Sequence, residues 1–112
     1  MELNLNPDNI MLVKLVNGLE LIGRDETPEG SSEHVIKEAL FIELTVDQER
    51  STPEHISYKP TFEPVSRLVD PGSSVNGEVD LVLQPTSVLF KKAIHPHVIP
   101  HYKQLTSKII LQ

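Results

Sequence analysis

The chain has 112 residues, of which 38% are hydrophobic and 23% are charged, and it contains no cysteine. This length fits a single domain, and the lack of cysteine excludes disulfides, thiol catalysis and thiolate metal sites. The formal net charge of −6 argues against a protein that binds nucleic acid through its overall charge.

The charge is divided unevenly along the chain. Residues 1–80 hold all sixteen acidic residues and six basic ones, which gives a net charge of −10. Residues 81–112 hold four lysines and no acid, which gives +4. This reversal predicts a local basic surface. A local nucleic-acid site is therefore compatible with the sequence, although the total charge argues against one.

The first half of the chain has the pattern of a three-stranded meander. Apolar residues alternate in three segments, as in half-buried strands. Asn17-Gly18 favours a type I′ hairpin turn between the first two, and Gly23 predicts a bulge or bend in the second. The predicted strands are Ile10–Val16, Leu19–Asp25 and His34–Val46.

Residues 47–78 contain four prolines and no sustained periodicity. We interpret this stretch as a long insertion between strands. Because proline is tolerated at sheet edges, residues 56–58 and 65–69 are candidates for short edge strands.

The last third of the chain predicts two strands and a short helix. The strands are Val79–Leu83 and Val88–Phe90, and the turn residues 84–87 connect them. Farther along, Val98, Tyr102 and Leu105 follow a helical period. The sequence is therefore mainly β with a short C-terminal helix.

Two motifs resemble those of the Sm-like (LSm) family. Residues 13–23 read V-x-L-x-N-G-x-x-L-x-G, which is similar to the aliphatic strand, Asn/Asp-Gly turn and bent strand of the family's first motif. Residues 83–88, LQPTSV, have the spacing of its second motif, where Arg-Gly stands between two aliphatic strands. The resemblance covers residues 10–46 and 79–93.

The resemblance implies a small, strongly bent, five-stranded antiparallel Sm-like barrel with a short C-terminal helix. It implies one domain over residues 1–112, with residues 47–78 as an insertion, and a cyclic homo-oligomeric ring of about five to seven subunits. The C-terminal helix and the long middle segment are similar to divergent members encoded by phages and cyanophages. A phage-encoded protein in a bacterial cytoplasm is therefore expected.

Members of the family bind single-stranded RNA at an Asp- and Asn-containing loop after the second strand and at the Arg-Gly pair. In this chain only Asp25 matches the loop, and Gln84-Pro85 stands in place of Arg-Gly. Two consecutive lysines in the last third would form a positive rim in a ring. The resulting candidates for binding RNA or another single-stranded nucleic acid are Asp25, Gln84, Lys91 and Lys92. The alternative is that these lysines are ordinary surface residues that pair with the acidic first 80 residues or with a neighbouring subunit. The ring would then be a protein scaffold without RNA binding.

Three histidines form a weak candidate for a metal site. His97 and His101 have the four-residue spacing of two ligands on a helix, and His95 would be a third. Pro96 and Pro100 interrupt that geometry, and no acidic residue follows in the sequence. We therefore expect polar surface histidines and no metal.

The chain shows none of the motifs of common enzyme or cofactor sites. It has no nucleophile–His–Asp signature, no phosphate-binding glycine loop and no dinucleotide fingerprint. No segment approaches the roughly 18 apolar residues that a membrane-spanning helix needs, and the N-terminus does not resemble a signal peptide. We expect a cytoplasmic protein that is not an enzyme and needs no cofactor.

Overall fold

The chain forms a six-stranded antiparallel sheet and one short helix in a computed structural model that describes residues 8–66 and 77–106. The strands are β1 (Ile10–Leu15), β2 (Glu20–Asp25), β3 (His34–Val46), β4 (Tyr58–Glu63), β5 (Val79–Leu83) and β6 (Val88–Ala93), and the helix is α1 (Ile99–Thr106). The mainly β prediction, the meander and the C-terminal helix are confirmed.

The long strand β3 organises the sheet, whose order is β4-β3-β2-β1-β6. One edge of β3 pairs with β2. The other edge is shared, because β5 pairs with residues 34–39 and β4 with residues 41–46. A strand of thirteen residues is long enough to serve both partners.

The sixth strand, β4, lies inside the segment that the sequence predicted to be an insertion. Its residue Pro60 lies opposite Leu44. Among the described strands β4 pairs only with β3, so proline sits in an edge strand, where its missing N–H is tolerated. The predicted edge piece at residues 56–58 overlaps only the start of β4. Of the other predicted piece, residues 65 and 66 lie outside the strands and residues 67–69 lie outside the described residues.

The sheet is irregular next to Gly23, as predicted, but the extra residue of the bulge lies in β3 and not in β2: Ile22 pairs with Leu40 and Arg24 with Lys37. The pairing of β2 with β3 shifts register between Ile22 and Arg24, and β3 shifts against β5 at the same level. A Cβ atom at Gly23 would overlap the side chain of Ile36 and lie 3.0 Å from the Lys37 carbonyl oxygen. Glycine is therefore required here because β3 crosses too closely for any side chain.

The sheet has a hydrophobic cluster on each face. On the inner face, defined here by Val13 and Leu21, the buried residues are Val13, Leu21, Ile36 and Ala39. On the helix-bearing face, the strand residues Ile10, Ile22 and Leu40 pack with Ile99 and Tyr102 of α1. This alternation follows from the period of two along a strand.

The sheet curves around its inner face. Leu81 and Leu83 of β5 and Val88 of β6 pack against the same inner cluster, although β5 and β6 lie at different ends of the strand order. Among the described strands, β5 and β6 do not pair with each other. Closure into a five-stranded barrel stays a prediction.

The helix α1 anchors the chain end on the sheet. Pro100 is its second residue, where a missing N–H is tolerated. The predicted helix residue Tyr102 is fully buried and its hydroxyl donates to the Glu38 carbonyl oxygen at 2.6 Å. Within the described parts of the chain, no helix is both long and apolar enough to cross a membrane.

Candidate nucleic-acid interface

Two of the predicted RNA-binding residues, Asp25 and Lys91, are in direct contact. Asp25 is the last residue of β2, and its Oδ2 lies 2.9 Å from Nζ of Lys91 in β6. The same ammonium lies 3.1 Å from Nδ1 of His34, the first residue of β3, and 3.4 Å from the Thr27 hydroxyl. We call Asp25, Thr27, His34 and Lys91 the loop cluster.

The loop cluster connects the end of β2 and the start of β3 to β6, which is distant from them in sequence. Thr27 links the cluster to the backbone of β3. Its hydroxyl donates a hydrogen bond to Asp25 Oδ1 and accepts one from the backbone amide of Val35. Neither Thr27 nor His34 was among the predicted site residues. Their signal in the sequence is that each lies at the polar boundary of a predicted strand, close to Asp25.

The third predicted residue, Gln84, lies beside the loop cluster. Its Nε2 donates to Glu33 at 2.6 Å, and Glu33 precedes His34 in the chain. The pairing of His34 with Leu83 explains this proximity. The structure thus places Asp25, Gln84 and Lys91 in one region of the fold.

The fourth predicted residue, Lys92, does not join this group. Successive side chains of a strand point to opposite faces, and Lys92 is paired with Leu12 on the helix-bearing face. It is exposed, and its Nζ lies 5.8 Å from the centre of the Phe90 ring. Lys91 and Lys92 therefore do not form a continuous basic rim within one subunit.

The charge of Lys91 is satisfied within the subunit. Three oxygen or nitrogen atoms surround its ammonium, which has three protons to donate. Its side chain is only 19% exposed and that of Asp25 only 13%. The pair therefore holds β6 against the end of β2 and offers little free positive charge to a phosphate.

Another lysine of the acid-free segment is also neutralised by the acidic part of the chain. Lys103 of α1 lies 2.7 Å from Asp8. A hydrogen bond from Lys103 and its charge lower the pKa of Asp8 below the usual value. Ion pairs between the acidic and the basic part of the sequence thus neutralise some of these charges in the folded chain.

The ion pair also perturbs Asp25. Burial raises the pKa of this carboxyl, but hydrogen bonds from Thr27 and Lys91 and the Lys91 charge outweigh burial and hold the pKa below its ordinary value. A carboxyl with a lowered folded-state pKa stabilises the fold above its unfolded pKa, and this contribution is lost as pH falls through the folded pKa.

We therefore expect Asp25→Asn to lower the free energy of unfolding by about 1–2 kcal/mol at pH 7. The difference from the unmodified chain should shrink as pH falls through the lowered folded-state pKa of Asp25, because the carboxyl then becomes protonated. Urea unfolding at pH 7 and pH 2.5 measures both effects. Glu29→Gln, at an exposed loop position, is the control and should change little at either pH. An equal loss at both pH values would show that the Asp25 charge is not what stabilises this junction.

The three candidate metal ligands are not arranged around a common point. The rings of His95 and His97 lie 4.8 Å apart, and Nδ1 of His95 accepts the His97 amide. Within residues 8–66 and 77–106, no group of three or more His, Asp or Glu side chains is placed to hold a metal ion. The geometry gives the metal alternative no support.

No protein-family model matches the chain, and no curated protein matches it in sequence.

Proposed function

We propose that this chain is an Sm-like subunit that assembles into a closed homo-oligomeric ring and serves as a protein scaffold in a bacterial cytoplasm. The observation that carries the proposal is the pair of open edges on β5 and β6. Among the described strands, β5 pairs only with β3 and β6 only with β1. Each strand thus has one edge whose backbone groups can pair with another chain.

The two open edges are suited to head-to-tail assembly. They lie at different ends of the strand order, although a short turn, residues 84–87, joins the two strands. Pairing β5 of one copy with β6 of the next uses two different surfaces, and such contacts close into a ring when the rotation between copies permits. Each edge strand also carries an exposed aliphatic side chain, 61% exposed at Val82 and 63% at Leu89.

The test is the molar mass measured by light scattering. We expect the unmodified chain to have several times the subunit mass of 12.6 kDa. The double variant Val82→Lys/Leu89→Lys should be monomeric at the same concentration, because lysines at edge strands oppose pairing. Ile56→Lys is the control, since Ile56 is 55% exposed but precedes β4. A monomeric unmodified chain at millimolar concentration would refute the ring.

Binding of single-stranded RNA at the loop cluster is the second candidate function. It is favoured by the convergence of Gln84, His34 and Lys91 at one end of the sheet. The ion pair of Lys91 with Asp25 makes it the weaker candidate, because a phosphate would have to compete with a carboxylate at 2.9 Å.

Titration of short U-rich and A-rich RNA separates the two candidates. An RNA-binding ring should lose affinity as salt rises, through release of counterions. Gln84→Ala should weaken this binding, and Lys92→Glu should not, because Lys92 lies away from the loop cluster. Lys91→Glu is unsuitable, since it would place a second carboxylate beside Asp25. Failure of both RNAs to bind at low salt, with the ring intact, leaves the scaffold function.

A further inference from the structure

Two hollows flank one stretch of β3, on opposite sides of the sheet, next to Glu20, where β2 begins. The larger has a volume of about 650 Å³ and extends to the start of α1. The smaller has a volume of about 230 Å³. Both are lined by Glu20, Ile42 and Glu43, so they meet at the same edge.

Within residues 8–66 and 77–106, no strand pairs with this edge of β3 beyond Phe41. The pairing of β2 with β3 reaches only Phe41, whereas β4 pairs with the opposite edge as far as Val46. The Asp47 amide donates to the Ser57 carbonyl at 2.8 Å, so the backbone groups of Asp47 point toward the strand β4 side of β3. Residues two apart direct their backbone groups to the same edge, so those of Leu44 and Val46 point away from β4.

The two hollows differ in chemistry. The larger, here the apolar hollow, is lined mainly by Leu12, Leu44, Pro60, Ile94 and Val98. The smaller, here the acidic hollow, has Glu43 and Glu63 on its walls beside Leu19 and Phe41. In the part of the chain that the structure describes, no lysine or arginine lines either hollow. Lys14 contacts the lining residue Glu20 in an ion pair at 3.4 Å.

We propose that this edge binds a basic, extended peptide segment of a partner protein by strand addition to residues 43–46 of β3. Side chains of an added strand alternate between the two faces of the sheet. One set enters the apolar hollow, and the other meets the carboxylates of Glu43 and Glu63. The segment that fits therefore alternates aliphatic residues with lysine or arginine over about five residues, or roughly 17 Å.

A second copy of this chain is a poorer occupant than such a partner. Its open basic strand, β6, has the sequence VLFKKA, in which apolar and basic residues are grouped rather than alternating. In addition, Lys91 of that strand is held by Asp25. The partner strand would pair with β3, and of β5 and β6 only Ala93, the last residue of β6, lines a hollow, so the inference does not depend on ring formation.

The experiment uses the full chain and labelled synthetic heptapeptides. The probe alternates lysine and valine, and three matched peptides change one property each: the same residues in two blocks, valine alternating with glutamate, and the probe with methylated backbone amides. Fluorescence anisotropy gives the affinities, and hydrogen exchange locates the site. We expect binding of the probe alone, with slowed exchange of the Leu44 and Val46 amides.

Variants of the chain test the two hollows separately. Glu43→Lys/Glu63→Lys should weaken binding of the probe about tenfold or more by reversing the charge of the acidic hollow. The control with the same charge change, Glu29→Lys/Glu54→Lys, alters two exposed residues that line neither hollow and should leave the affinity within about twofold. Leu44→Ser should weaken binding about fivefold through lost apolar contact. Leu44 is 69% exposed, so the fold should tolerate this change.

Three results would overturn the inference. The first is no binding of the probe at up to about 1 mM. The second is equal binding of the alternating and block peptides, which would indicate attraction to the acidic surface without strand addition. The third is slowed exchange confined to β5 or β6, which would place the peptide on the edges assigned to the ring.

Discussion

Tyr102→Ala is expected to lower the free energy of unfolding by about 3–5 kcal/mol. Tyr102 is fully buried between α1 and the sheet, where it packs with Ile10, Ile22 and Leu40. Removing the ring leaves a cavity under the helix and also removes the hydrogen bond to the Glu38 carbonyl. Domains of this size have only about 5–15 kcal/mol of stability, so the change should be visible in urea unfolding as a large shift of midpoint.

Two further tyrosine variants separate packing from hydrogen bonding. Tyr102→Phe retains the ring but leaves the Glu38 carbonyl without this donor, and we expect a loss of about 1–2 kcal/mol. Tyr58→Ala removes a tyrosine that is 58% exposed at the start of β4 and should cost less than about 1 kcal/mol. If Tyr102→Ala and Tyr58→Ala were equally mild, α1 would not be anchored as described.

Gly23→Ala is expected to cost about 2–3 kcal/mol, although alanine is the smallest possible addition. The new Cβ atom would overlap the Ile36 side chain and crowd the Lys37 carbonyl oxygen. A side chain can move, but the carbonyl belongs to the backbone of β3, so the two strands would have to separate. Thermal or urea unfolding measures the loss.

A double-mutant cycle tests this steric explanation. In an Ile36→Ala background the main overlap is absent, so Gly23→Ala should cost less there than in the unmodified chain. Gly18→Ala is a contrasting control: nothing lies within 4 Å of its added Cβ, and its φ of +94° alone should cost about 1–2 kcal/mol. An unchanged cost of Gly23→Ala in the Ile36→Ala background would contradict the steric explanation.

Much of the fold could be predicted from the sequence because strand alternation and turn chemistry are local. Asn17-Gly18, the alternation around Val13 and the glycine at position 23 all indicated features that the structure contains. The strand β4 was largely missed because Pro60 and Pro64 obscure its pattern and because its partner, β3, supplies the pairing. That pairing is a tertiary effect, which no local signal reveals.

The candidate site was predictable only in part. The resemblance identified Asp25 and Gln84 as candidate binding residues, and the structure places both near Lys91. Sequence alone could not reveal that Lys91 forms an ion pair with Asp25. The two residues are 66 positions apart and meet only through the curvature of the sheet. The separation of Lys91 from Lys92 follows from strand alternation and could have been anticipated.

The division of one β3 edge between β5 and β4 has a consequence for how the chain folds. β1, β2 and β3 are neighbours in sequence and can pair early, whereas β5 reaches β3 across the intervening segment and β6 must pair with β1, at the other end of the chain. Pairings between distant residues slow folding. The length of the intervening segment matters less, since doubling a flexible loop costs only about 0.6 kcal/mol in closure entropy. We therefore expect the meander to form first and insertions between β4 and β5 to be tolerated without loss of the sheet.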